Sequence, residues 1–155
     1  FAAAPQVLAR DGNERFAENA LRIYEFLRDT GHGQEPDWLR EQLLNRDAGA
    51  RIISEAATEG GSDLAMAALD LFVSLYGAEA GNLALKFLAT GGVFIGGGIA
   101  PKIADKLAEG AFMTAFAEKG RISDILHRIP VHIIRNDRTA LLGAAYYGVQ
   151  QAEHS

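Results

Sequence analysis

The chain has 155 residues, no cysteine and a formal net charge of −5 at pH 7. This length suffices to bury the core of one domain, and 48% apolar with 23% charged residues is an ordinary globular composition. The absence of cysteine excludes disulfides and thiolate chemistry and fits a reducing compartment, so we expect the cytoplasm. The negative charge argues against nucleic acid and anionic membranes as main partners.

Neither the amino end nor the most apolar region carries a clear targeting or membrane signal. The run from Phe1 to Pro5 lacks the basic lead and apolar block of a signal peptide. Asp70, Glu79 and Lys86 interrupt the most hydrophobic stretch before it reaches the roughly 18 apolar residues of a membrane span. The sequence begins without methionine, so we expect a processed chain or a piece of a longer one.

The first third of the chain predicts helices. Apolar residues at helical spacing predict an amphipathic helix over 16–28, which ends at the glycine-containing loop 29–33. Two shorter helices are expected next, one opening at Pro36 and one over 47–58.

A long helix is predicted from about Asp63 to Leu88, with Ser62 as its N-cap. Gly77 and Gly81 lie one turn apart on this helix and would let another backbone approach closely. In a soluble helix this spacing more often indicates close packing than a dimer face.

The remainder of the chain mixes short helices with two apolar, strand-like runs. A short buried strand is expected directly before the glycines that begin at Gly96, and a second strand at 131–134. Helices are expected at 102–108, around 112–116, around 122–126 and over 139–150. Two short strands alone do not make a stable sheet, because each strand of an α/β layer needs partners. The pattern therefore indicates part of a larger fold.

Three consecutive glycines, Gly96, Gly97 and Gly98, follow the first strand, and Pro101 is expected to open a helix behind them. Side-chain-free backbone before a helix N-terminus lets a nucleotide approach the main chain. The same pattern also describes a tight strand-to-helix turn that binds nothing. Gly143 lies one turn into the last helix, so adjacent parallel strands would place both helix starts at one crevice.

Other chemistries find little support in the sequence. The four histidines lie far apart, so no metal site is expected, and the sequence contains no Gly-x-Ser-x-Gly elbow. His132 falls within a predicted strand and is expected to be a core or edge residue. Asp137 follows the second strand, where it or Thr139 would cap the last helix rather than act as a base. The basic residues look scattered.

Several runs together carry a family resemblance. They are Tyr76–Leu85, Gly91–Pro101, Phe112 and Phe116, Lys119–Arg121, Ile129–Val131, Asn136-Asp137 and Leu141–Ala145. In order and spacing they closely resemble the carboxy-terminal part of bacterial ATP-dependent glucokinases, which belong to the actin-like ATPase and sugar kinase superfamily. The match extends from about Ala48 to Gly148.

The resemblance implies an α/β fold, namely the carboxy-terminal part of a ribonuclease-H-like (actin/hexokinase) fold. It would be mostly helical, with about two short strands and a long central helix. Residues 1–15 would be an atypical leader and 16–155 the carboxy-terminal lobe. In the family an aspartate of the other lobe deprotonates the glucose 6-hydroxyl, which attacks the γ-phosphoryl group of ATP with Mg²⁺ present. The product, glucose 6-phosphate, opens glycolysis.

The resemblance also assigns site residues. Gly96, Gly97, Gly98 and Ile99 would belong to the adenosine motif, and Gly143 would let the last helix pack near it. Glu14 is the candidate for a sugar-binding glutamate.

The family's Asp-x-Gly-Gly-Thr phosphate motif, catalytic aspartate, second phosphate loop and Glu-Gly-Gly-His run do not occur in the sequence. We therefore expect no catalytic residue in this chain and no turnover by the chain alone. We expect it to pair with the amino-terminal lobe or to form a homodimer. The alternative function is a non-catalytic dimerisation or interaction module derived from a sugar kinase. A nucleotide-binding domain of another sugar or acetate kinase is disfavoured by the extent of the match.

Overall fold

The computed structural model describes residues 11–136 and 138–153, and the side chains of residues 18–136 and 138–152. The helices and strands, in chain order, are α1 (Asp11–Asp29), α2 (Asp37–Gln42), α3 (Gly49–Thr58), α4 (Asp63–Lys86), β1 (Val93–Ile95), α5 (Ala104–Ala108), α6 (Ala111–Ala117), α7 (Ser123–Leu126), β2 (Val131–Ile133) and α8 (Thr139–Glu153). Single 3₁₀ turns at Arg46–Ala48 and Gly120–Ile122 precede α3 and α7. The mostly helical architecture with two short strands confirms the predicted fold class.

The core lies between α4 and the helices that surround it. Helices α1 and α3 pack against each other and against α4, and α6 also packs against α4. Tyr24, Ile53, Leu64 and Phe116 are among the side chains that are fully buried there. The predicted N-cap is confirmed, because the Ser62 hydroxyl accepts a hydrogen bond of 3.2 Å from the backbone N–H of Ala65.

Helix α4 is long and apolar enough to cross a membrane by length and composition alone. Half of its most apolar window is buried within the protein, however, and the helix contacts α1, α3, α6 and α7. This is the situation of a central core helix, whose hydrophobicity follows from burial on several sides.

Two glycines set the contact between α4 and α6. A Cβ atom on Gly77 would overlap the carbonyl oxygen of Phe112, and one on Gly81 would overlap that of Phe116. The expected close packing is therefore found, and its partner is the backbone of α6. The Lys119 ammonium group closes this crossing by donating a 2.9 Å hydrogen bond to the carbonyl oxygen of Ala78.

The residue that follows the C-cap of α4 has unusual backbone geometry. Leu88 has φ +47°, which is rare for a residue with a Cβ atom. The N–H of Ala89 bonds to the carbonyl oxygen of Ala84, and that of Leu88 to Leu85. This double closure is the Schellman motif, in which glycine normally takes the position of Leu88.

Strands β1 and β2 are adjacent and parallel, paired from Val93 with Val131 to Ile95 with Ile133. One face of this pair packs on the core through Ile95, which is buried. On the other face, Phe94 stacks on His132 with ring centroids 5.0 Å apart, and Phe94 is 65% exposed. His132 is therefore an exposed residue of an open sheet face, rather than a core histidine.

The helix expected to begin at Pro101 begins instead at Ala104, so that prediction is wrong. The N–H groups of Lys102 and Ile103 both bond to the carbonyl oxygen of Ile99, which closes a turn over 99–103. Proline fits a turn as well as a first helical position, because both require φ near −65°.

Two further boundaries differ from expectation. The first helix begins at Asp11 rather than Phe16, so it extends into the segment predicted to be a leader. The last helix runs on to Glu153. Of its two candidate caps, Asp137 lies outside the described residues, whereas the Thr139 hydroxyl donates to the carbonyl oxygen of Asn136 over 2.8 Å.

Helix α8 lies on the surface of the described part of the chain. Every side chain described from Arg138 to Ala152 is exposed. They include five large apolar or aromatic residues: Leu141, Leu142, Tyr146, Tyr147 and Val149. An apolar helix with this exposure has the composition of a surface that packs against another polypeptide.

Candidate functional site at the carboxyl edge of the sheet

The carboxyl ends of the two parallel strands lie side by side. The N–H of Ile134 donates a 2.8 Å hydrogen bond to the carbonyl oxygen of Ile95, which carries the pairing one residue beyond β2. We call the segments that follow, residues 96–103 after β1 and residues 134–136 with 138 after β2, the carboxyl edge. Ligands of open α/β sheets bind at such edges.

Three glycines begin the carboxyl edge. Gly96 is exposed, and a Cβ there would stand 3.2 Å from Cδ1 of Ile134, so its backbone lies against the segment after β2. Gly97 is exposed with φ +106°, a conformation that side chains disfavour. Gly98 is half-buried. This stretch presents backbone directly to the surface, as contact with a flat ligand requires.

Ile99 anchors the glycine segment to the core. Its half-buried side chain packs against the buried cluster, and its carbonyl oxygen accepts the two bonds that close the 99–103 turn. Ala100 and Ile103 on either side of Pro101 are buried as well. The loop is thus held from its carboxyl side, while Gly96 and Gly97 stay exposed.

The two remaining predicted site residues are Gly143 and Glu14. Gly143 is on α8, where nothing lies within 4 Å of a Cβ placed on it, so none of the described residues packs against this position. Its role beside the glycine loop stays a prediction. Glu14 falls in α1, but its side chain lies outside the described residues.

The carboxyl edge also carries positive charge that inspection of the sequence missed. Lys102, Arg135 and Arg138 are exposed and have no carboxylate partner among the described residues. The only carboxylate in the sequence of these segments is Asp137, so the edge carries a net +2 in a chain of −5. The three cations look scattered along the chain because they follow different strands. Summing charge over the two segments would have revealed them.

A second polar cluster lies on the opposite part of the fold, between α1 and α2. Glu35 is 6% exposed and bonds to Arg40 over 2.8 Å, with Arg28 at 3.5 Å. Burial raises the pKa of the Glu35 carboxyl, but the bond from Arg40 and the charge of Arg28 outweigh it and hold the pKa below its usual value. The cluster is an ion-pair network that fastens the loop before α2.

The Tyr24 hydroxyl lies beneath this network. It is buried without a hydrogen bond of normal geometry, and burial together with the nearby Glu35 charge raises its pKa. A cavity of about 160 Å³ opens beside Tyr24 and Glu35. Three arginines and two glutamates line the cavity, and each arginine is already paired with one of the glutamates, so the lining offers no free charge to a ligand.

Two other features of the described chain lack the chemistry of a binding site. A cleft of about 480 Å³ lies between the loops 32–36 and 60–63, lined by His32, Gln34 and Asp63 among others. It is shallow and lacks a converging set of charges. Among the residues that the structure describes, no group of three or more histidine or acidic side chains is placed to hold a metal ion.

Comparison with known proteins identifies the family. The sequence model of the glucokinase family matches residues 20–151. A glucokinase of Synechocystis is 43% identical over 138 residues, which cover 83% of this chain and 39% of the relative. A glucokinase of Caulobacter sp. strain K31 is 48% identical over 96 residues, 62% of this chain and 29% of the relative.

Among solved structures, a glucokinase from an Antarctic psychrotroph superposes with a TM-score of 0.66 at 31% identity, covering 81% of this chain and 36% of that one. The architecture is therefore part of a sugar kinase fold. This chain belongs to the glucokinase family and matches the carboxy-terminal part of its relatives. It spans about two fifths of the length of the Synechocystis relative.

Proposed function

We propose that the chain is the carboxy-terminal, adenosine-binding part of an ATP-dependent glucokinase that acts on D-glucose in the cytoplasm. One observation carries the proposal: the exposed backbone of Gly96 and Gly97, in a loop anchored by Ile99, at the carboxyl edge of paired parallel strands in a chain of this family. The adenosine moiety would lie against this backbone. The proton-abstracting aspartate and the phosphate loops belong to the other lobe, as would the groups that bring Mg²⁺ to the phosphates.

The proposal includes a partner for α8. We infer that its exposed apolar residues pack against the amino-terminal lobe of the complete enzyme, which supports a role as part of a two-lobed kinase. A second candidate, a dimerisation module, rests on the same exposed surface. Light scattering separates them, because a dimerisation module forms a stable dimer by itself, whereas a lobe of a kinase does not need to.

A chimeric enzyme tests the proposal directly. Residues 20–151 of this chain would replace the matching segment of the Synechocystis relative, and glucose-dependent ADP formation would be measured. We expect an active chimera, while the 155-residue chain alone forms no glucose 6-phosphate. In the chimera, Gly97→Val should raise KM for ATP and leave KM for glucose unchanged, because a side chain there obstructs the exposed backbone. A folded chimera without activity would contradict the proposal, as would a Gly97→Val chimera with an unchanged KM for ATP.

A further inference from the structure

The carboxyl edge combines two features that suit chemically different parts of a ligand. Glycine backbone suits the flat, uncharged adenosine moiety, whereas Lys102, Arg135 and Arg138 suit an anion. We propose that these three cations contact the phosphate groups of the nucleotide, so that this chain binds the phosphates as well as the adenosine. The inference rests on the proposed nucleotide site and extends it to named phosphate-binding residues.

The cations follow both strands and lie close in sequence to residues that contact the glycine loop. The backbone of Ile134 is paired with Ile95, and the Ile134 side chain contacts the position of Gly96. Arg135 is the next residue, with its Cα about 3.8 Å further along the chain. Lys102 belongs to the turn that follows the glycines. Cations from two separate segments therefore border one glycine loop.

Arg135 and Arg138, like Arg121 and Arg128 but unlike the arginines between positions 22 and 51, have no carboxylate partner among the described residues. Arg22, Arg28, Arg40, Arg46 and Arg51 all form ion pairs with carboxylates. Across the described part of the chain, neither arginine of the carboxyl edge has such a pair. Their guanidinium groups are exposed, so an anion can reach them.

Hydrogen bonds at the start of α8 fix the position of Arg138. The side-chain oxygen of Asn136 accepts a 2.9 Å bond from the N–H of Arg138, and the Thr139 hydroxyl bonds to the Asn136 carbonyl oxygen. These bonds fix Arg138 next to the first turn of α8. A cation there has the wrong sign for the helix dipole and lowers local stability. A bound phosphate would reverse that penalty, because it favours both the dipole and the arginine.

Ligand titrations of the 155-residue chain test the inference, monitored by amide NMR at constant ionic strength. The probes are adenosine, ADP, ATP and inorganic tripolyphosphate. We expect ATP to bind several-fold more tightly than adenosine, because each exposed ion pair supplies up to about fivefold. This gain should shrink as the added salt is raised from about 50 mM to about 200 mM, because salt screens exposed charge pairs.

The variants separate phosphate contact from adenosine contact. The triple variant Lys102→Gln, Arg135→Gln, Arg138→Gln should bind ATP and adenosine equally, with adenosine affinity unchanged. Arg121→Gln is the matched control, since Arg121 is also exposed but lies in the turn before α7. Thermal unfolding of each variant verifies that it is folded.

Each outcome has a clear meaning. Equal affinity for ATP and adenosine in the unchanged chain overturns the inference, as does an ATP preference that survives the triple substitution. If tripolyphosphate shifts the carboxyl edge and the triple variant abolishes this, while adenosine causes no shift at 96–98, the phosphate-binding residues stand and the adenosine site fails. Binding of free phosphate as tight as that of ATP would likewise assign the edge to a simple anion, which contradicts a nucleotide site.

Discussion

Gly77 of α4 lies directly against the carbonyl oxygen of Phe112 in α6, with no room between them for a methyl group. Gly81 has the same relation to Phe116 one turn later. Two helix backbones thus meet at about the closest distance that helices allow, and every larger residue at these positions must separate them.

Gly77→Ala is therefore expected to destabilise the protein, although alanine is the better helix former. Overpacking of a tight interface costs about 1–3 kcal/mol, which exceeds the gain of up to about 1 kcal/mol in helix propensity. Chemical denaturation monitored by circular dichroism measures the change in the free energy of unfolding. Gly143→Ala is the control, since nothing lies near its added methyl group and it should not destabilise. A Gly77→Ala protein at least as stable as the parent would contradict the packing described.

Leu88→Gly is expected to stabilise the chain by about 1 kcal/mol. The left-handed conformation costs a residue with a Cβ atom roughly 1–2 kcal/mol, and glycine avoids that cost. Little burial is lost, because Leu88 is 69% exposed. Leu88→Ala removes the same side chain but keeps the backbone strain, so it should fall below the glycine variant in thermal unfolding. Equal melting temperatures for the two variants would show that the φ of +47° carries no strain.

Ser62→Ala should lower the free energy of unfolding by about 1 kcal/mol, because it leaves an N–H of the first turn of α4 without its side-chain partner. Ser62→Asn keeps an oxygen acceptor at the cap and is expected to retain most of the stability. Urea unfolding compares the two. If asparagine and alanine are equally destabilising, the hydroxyl contributes through its burial and not through the cap.

Glu35→Gln should destabilise the protein at pH 7 by about 1–3 kcal/mol, the value of hydrogen bonds to a charged group. Because the pKa of Glu35 is lowered on folding, its ionised form stabilises the native state above the pKa of the unfolded chain. This stabilisation is lost as the pH falls through the folded-state pKa. The difference between the parent and Glu35→Gln should therefore shrink steadily as the solution is acidified below about pH 4.3, the ordinary glutamate pKa.

Glu55→Gln provides the comparison for Glu35. The Arg51–Glu55 pair is exposed on α3, so its loss should cost well under about 1 kcal/mol at any pH. Unfolding curves for both variants at a series of pH values measure the effect. A pH-independent deficit for Glu35→Gln would exclude the ionised carboxylate as its source.

The helical half of the chain could be predicted closely because its signals are local. The Ser62 cap, the length of α4 and the close approach at Gly77 follow from residue types at fixed spacing. Pro101 shows the limit of local signals, since its fixed φ fits both a turn and a helix start. The hydrogen bond from the N–H of Ile103 to the carbonyl oxygen of Ile99 shows that this segment forms a turn.

The site could be predicted only where it is continuous in sequence. Gly96, Gly97 and Gly98 stand together in the chain, so the run itself indicated a loop for a ligand. The cations Lys102 and Arg135 are 33 positions apart, and only the parallel pairing of the strands brings their segments to one edge. The exposure of α8 depends on what surrounds a helix, which its own periodicity does not contain.

Among the described residues, the sheet beside the glycine loop has two strands, each paired on one side. Such a pair opens with the loss of few hydrogen bonds, while opening α4 disrupts the whole core. Amide protons of β1 and β2 should therefore exchange with solvent far sooner than those of α4. The glycine loop follows directly after β1, whose amide protons are expected to be poorly protected from exchange. A nucleotide bound to the segments after both strands would stabilise their pairing. Ligand-induced slowing of exchange at Val93–Ile95 would thus report occupancy without any catalysis.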